Sequence, residues 1–73
     1  MEKYRNLRGN SPITNYLIEE DRISVWFKSN PKPYIYPEFK TGKYHLEQLK
    51  AKAIAGSGLS AYITNNVKDK FIP

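Results

Sequence analysis

The apolar residues of this chain change their spacing at Gly42, and that change restricts the fold more than any other feature of the sequence. Before it, Ile23, Val25 and Phe27 alternate with Ser24, Trp26 and Lys28. This two-residue period places successive side chains on opposite faces of a strand. After it, Leu46, Leu49, Ala53 and Ile54 fall at i, i+3, i+7 and i+8, the stripe of an amphipathic helix over Lys43 to Ala55. Strand signals gathered first and helix signals second, without interleaving, predict an α+β fold.

Three strands are expected in the first part. Residues 13–18 are β-branched and aromatic, residues 19–22 supply a polar turn, and residues 23–28 return as the second arm of a hairpin. Pro31 and Pro33 end the ladder, and Tyr34-Ile35-Tyr36 starts a third strand. With Phe27 opposite Tyr34, Val25, Phe27, Tyr34 and Tyr36 would share one face and Trp26 and Ile35 the other. The parity of the first strand is ambiguous, and a bulge could move Tyr16 between faces. Thr41 is the expected N-cap of the first helix. Gly56-Ser57-Gly58 should end that helix on a glycine and offer Ser57 as cap for a second one. In that second helix Leu59, Tyr62, Ile63 and Val67 continue a stripe, and the chain then frays. The expected architecture is an antiparallel three-stranded meander followed by a two-helix hairpin packed on one sheet face. Residues 1–10 form an N-terminal arm, anchored by Tyr4 or Leu7, and residues 11–73 a single domain.

A chain of 73 residues forms a domain near the lower size limit, able to bury about 60% of its unfolded surface. Neither a disulfide framework nor a four-ligand zinc site can be assembled from no cysteine and the single His45. The core must therefore be built from aliphatic side chains and from the ten aromatics. The N-terminal stretch carries charges but no apolar run of secretory type, and no apolar stretch reaches the ~20 residues of a spanning helix. The chain reads as cytoplasmic, with no membrane partner.

The order Ser11, Ile13, Tyr16, then Ile23-x-Val25-x-Phe27, then Tyr34-Ile35-Tyr36, then Tyr62-Ile63-x-x-x-Val67-x-x-x-Phe71 resembles the KTSC domain. That family is a module of about this length, named for the C-terminus of some lysyl-tRNA synthetases and also found as a stand-alone bacterial protein. The resemblance spans residues 11–71. It implies a central Tyr-x-Tyr in a small α+β module, with RNA binding suggested by the attachment to a synthetase. Two positions depart from the family pattern. Thr64-Asn65-Asn66 stands where asparagine followed by basic residues is usual, and the small-residue and glycine pair appears earlier, as Gly56-Ser57-Gly58.

The inventory for catalysis is poor. His45 has no second histidine or cysteine to work with, and no nucleophile with a base and an orienting group can be named. Glu19, Glu20 and Asp21 are consecutive acids at a turn, where carboxylates are normally solvated, whereas paired catalytic carboxylates come from separate elements around a cleft. Gly56-Ser57-Gly58 matches no phosphate-loop signature and reads as a helix–helix turn. No catalytic residue, cofactor or metal is expected. Twelve Lys/Arg against seven Asp/Glu give a net charge of +5. From Arg22 onward nine basic residues face only Glu38, Glu47 and Asp69, a local excess of six. The sequence thus predicts a non-enzymatic binding module for RNA or single-stranded nucleic acid, with a protein partner or self-association as the alternative. Its candidate residues are Trp26, Lys28, Lys32, Tyr34, Tyr36, Lys40 and Lys43. Trp26 and Ile35 would form an open patch flanked by Lys28 and Lys32 unless the N-terminal arm covers them.

Overall fold

The computed structural model describes residues 1–72 as an α+β fold, a four-stranded antiparallel sheet with helices on one face. The strands are β1 (Glu2–Lys3), β2 (Ile13–Glu19), β3 (Arg22–Phe27) and β4 (Tyr34–Pro37), neighbours in that order. They are followed by α1 (Glu38–Thr41), α2 (Lys43–Ala55), α3 (Leu59–Tyr62) and a π-helical segment, Ile63–Val67.

The expected three strands become four because the arm enters the sheet. Glu2 pairs with Tyr16 and Lys3 with Asn15, and the Tyr4 N–H continues the ladder to Thr14 O at 2.8 Å. Two residues carry no readable period, so this strand could not be seen in the sequence. The arm then crosses to the helices. Leu7 N–H donates to Gly56 O at 2.8 Å, and the Arg5 guanidinium donates to Ile54 O. Tyr4 is the anchor, buried with its hydroxyl accepting from Leu59 N–H at 3.4 Å, whereas Leu7 is exposed.

The register pairs Tyr34 with Val25 and Tyr36 with Ile23, two residues away from the predicted opposition of Phe27 and Tyr34. An even shift preserves parity, so the predicted faces stand although the partners change. Tyr16 lies opposite Val25 and Ile18 opposite Ile23, which puts both on the helix-covered face. The register slips between Ile13 and Asn15, and this bulge lets Ile13, Tyr16 and Ile18 all point to one side.

That side is the core. Ile13, Ile23, Val25 and Tyr36 pack with Leu46, Leu49 and Ala53 of α2 and with Leu59, Ile63 and Val67 beyond it. Each Val, Leu or Ile among them contributes roughly 1.5–3 kcal/mol on full burial. Helix α2 has the bounds its periodicity predicts, but Ile54 is exposed and the buried stripe is Leu46, Leu49 and Ala53 alone. Thr41 is not its N-cap. It ends α1, its hydroxyl donating to Pro37 O at 3.2 Å, and Gly42 holds the cap position without a side-chain bond. The α1 turn also takes in Phe39, which the sequence leaves in a loop and which stays exposed.

Gly56 ends α2 in the left-handed conformation, its N–H donating to Lys52 O and Ala53 O. Gly58, and not Ser57, is the cap position of α3. The second helix changes type at Ile63, and its buried residues, Leu59, Ile63 and Val67, recur every fourth position. That interval is longer than the 3.6 residues of an α-turn, and a π-turn keeps all three facing inward. Contrary to expectation, Phe71 and Ile72 do not fray. Phe71 packs its ring 4.6 Å from Tyr34, and Ile72 N–H donates to Ile35 O at 2.8 Å, closing the free edge of β4. Among the described residues no helix is long and apolar enough to cross a membrane.

Candidate functional site

The sheet and the second helix diverge at the end of β3, leaving a groove of ≈ 550 Å³. This is within the usual range for ligand sites, about 300–1,000 Å³. Phe27, Tyr34 and Tyr36 line it from the sheet, Ile63 and Thr64 line it from the helix, and Lys28 and Lys68 stand at its rim. Both lysines are exposed, and no acidic side chain lines the groove.

Strand parity makes the aromatic wall. Phe27 and Tyr34 lie on the core face of adjacent strands, their rings 5.2 Å apart and edge to face, a favoured arrangement for aromatic pairs. Phe71 braces the far side, 4.6 Å from Tyr34 and 6.1 Å from Tyr36. Tyr36 is 1% exposed. Among the described residues its hydroxyl has no hydrogen-bond partner, yet no fully buried side-chain polar atom among them lacks one, so Oη is open to the groove that Tyr36 lines. Burial, and then the neighbouring Tyr34, push its pKa up to about 12. A phenol held neutral in this way offers a hydrogen-bond donor at the floor of an otherwise apolar wall.

The predicted site residues fall into three groups. Lys28, Tyr34 and Tyr36 meet in the groove, and Lys32 borders an adjoining hollow of ≈ 230 Å³ on the other side of Tyr34. Trp26 lies on the opposite sheet face, in the same cross-strand row as Asn15 and Lys3. Lys40 and Lys43 are exposed at the turn between α1 and α2 and do not line the groove. Sequence reasoning passed over Lys68. Its signal was present in Ser60, Thr64 and Lys68, a row one position after the buried row Leu59, Ile63 and Val67.

The outer sheet face carries Leu17, Trp26, Ile35 and Ile72, with Ser24 between Leu17 and Ile35. Trp26, Ile35 and Ile72 are half-buried by their neighbours and do not belong to the helix-packed core. Of the two arm residues expected to cover them, Tyr4 turns to the core side and Leu7 is exposed.

The remaining polar constellations are small. His45 Nδ1 and Tyr62 Oη are 2.7 Å apart between α2 and α3, with Lys52 Nζ 5.3 Å from the Tyr62 ring centre. Desolvation, and then Tyr44, raise the Tyr62 pKa. At the β2–β3 turn Arg22 donates twice to the Asp21 carboxylate, at 3.1 and 3.2 Å, and this hydrogen bonding lowers the Asp21 pKa. Among the described residues no group of three or more His, Cys, Asp or Glu side chains is placed to hold a metal ion.

Comparison with protein-family models, with curated proteins and with solved structures finds no match to this chain.

Proposed function

We propose that this chain is a non-enzymatic module that binds single-stranded nucleic acid, RNA foremost, in the groove between the end of β3 and the second helix. The carrying observation is an aromatic wall, Phe27 and Tyr34, that meets the neutral Tyr36 hydroxyl beneath two exposed lysines, with no carboxylate among the described residues that line it. Bases stack on aromatic rings with about 1–3 kcal/mol each, and lysines neutralise the phosphates between them. The resemblance to the KTSC family, carried by residues 11–71, supports the same class of partner.

The test is fluorescence anisotropy of a labelled random-sequence RNA across a salt series. The logarithm of affinity should fall with the logarithm of salt by roughly 0.7 per phosphate neutralised. Replacing both Lys28 and Lys68 by Gln should flatten that slope, and Tyr34→Ala should weaken binding by about ten- to a hundredfold. Undetectable binding at the lowest salt would overturn the reading.

One observation favours a second role. Leu17, Trp26, Ile35 and Ile72 share the sheet face that carries no helix, a surface suited to self-association. Sedimentation at high protein concentration should then show a dimer that Trp26→Ser dissolves, and a monomer at that concentration rejects it.

A further inference from the structure

The groove does not end at Ser60. A second hollow of ≈ 270 Å³ opens between the N-terminal arm and the turn at Gly56, Ser57 and Gly58, and it shares Pro12 and Ser60 with the groove as common walls. The two cavities thus adjoin one another across these two residues. Their linings differ in kind. The groove is aromatic, whereas the hollow is polar, with Asn10, Ser57 and Ser60 among its walls and Arg8 as its one charged residue. Arg8 is exposed and makes no ion pair among the described residues, unlike Arg5, whose guanidinium is committed to Ile54 O. At ~30 Å³ per water the hollow holds about nine waters, room for a phosphodiester and part of its sugar. No acidic side chain lines either cavity.

We propose that this hollow is the second subsite of the same strand-binding site. A backbone phosphate lies against the Arg8 guanidinium, with the Asn10, Ser57 and Ser60 side chains as hydrogen-bonding partners. The neighbouring nucleotide stacks its base on Tyr34 and Phe27. Arginine suits this position, because its planar fork gives two parallel bonds to a phosphate. The strand crosses the saddle formed by Pro12 and Ser60, so a mononucleotide fills only the groove and full affinity needs an oligonucleotide that spans both cavities. The inference rests on the groove being the base-binding site, and the arm that closes the sheet would then have a second task as one wall of the hollow.

The test is a length series of oligouridylates, from one to six nucleotides, titrated against the wild type, Arg8→Gln and Lys68→Gln by calorimetry at low salt. Affinity should rise by about tenfold as the ligand becomes long enough to reach Arg8, the increment of a charge-assisted phosphate contact. Arg8→Gln should remove that step and leave the shortest ligands unaffected, while Lys68→Gln should weaken every length. Thermal unfolding of Arg8→Gln should match the wild type, since the side chain is exposed and unpaired. A series with no step, or a step that Arg8→Gln leaves intact, overturns the second subsite and leaves the groove reading standing. Absence of binding at every length overturns both.

Discussion

Val25 and Trp26 are neighbours in β3, yet one is wholly buried under the helices and the other sits half-buried on a face that no helix covers. The two faces of the sheet come from the same alternating strands, and their difference lies in what the rest of the chain delivers to each. The inner face receives Leu46, Leu49, Leu59, Ile63 and Val67, together with Tyr4 from the arm and Phe71 from the C-terminal segment. The outer face receives Ile72, which joins the row of Leu17, Ser24 and Ile35. Stability is therefore concentrated on one side of a sheet a single strand thick. The groove opens where the inner face runs past the end of its cover, so the residues that could hold a ligand continue the core outward.

The largest effect that could break this contrast is a truncation under the helices. Leu49→Ala removes a fully buried side chain and should lower unfolding free energy by about 2–5 kcal/mol, read from the urea midpoint. An equal loss on replacing Trp26 would mean that the outer face is covered as well.

Next in size is an alkaline effect confined to the inner face. Tyr36 has its pKa raised from 10.0 to about 12, chiefly by burial. Above pH 10 the unfolded chain releases a phenol proton that the folded chain retains, so the contribution is whole below that pH and lost as pH climbs toward 12. The loss should reach roughly 2–3 kcal/mol at the top of that window. Tyr36→Phe should abolish this part of the alkaline decline when its stability–pH curve is set beside the wild type. Parallel curves would show that Tyr36 titrates as an exposed tyrosine does.

A smaller effect tests the seam between arm and helices. A Cβ at Gly56 would stand 2.8 Å from Arg5 Cβ, at a φ of +76°. Gly9 has a φ of +77° with nothing within 4 Å of such a Cβ. Both alanine variants carry the left-handed penalty of about 1–2 kcal/mol, so Gly56→Ala should be the less stable by thermal melting. Equal melting temperatures would mean that the arm gives way freely. The smallest effect belongs to the outer face, where Trp26→Ser should cost the monomer less than about 1 kcal/mol and should change association more than folding.

Much of the inner face could be read from the sequence, and the reason is local. Val25 and Phe27, or Leu46, Leu49 and Ala53, declare their direction by spacing alone, because the pleat and the helical turn have fixed periods. The same rule set Trp26 and Ile35 on the opposite face, and Tyr36 on the face of Val25 and Phe27. Ile54 shows the limit. It fits the stripe by spacing but stays exposed, since α2 presents its face to a sheet too narrow to cover both flanks. The candidate site was legible only in part. Lys28, Tyr34 and Tyr36 were selected as aromatic and basic residues near one another in sequence. Lys68 and Arg8 reach the two adjoining cavities from positions far along the chain.

By itself, the sequence determined that strands precede helices, the parity that divides the residues of β3 and β4 between two faces, and the glycine stop of α2 at Gly56. Each follows from interactions within a few residues, where backbone geometry permits few alternatives. Only the tertiary structure decided that residues 2–3 add a strand, that Ile72 closes the other edge, and that the groove and the hollow share Pro12 and Ser60. Those pairings join segments too short to carry a period of their own. Their place is set by partners dozens of residues away, through hydrogen bonds and burial that exist only once the core has formed.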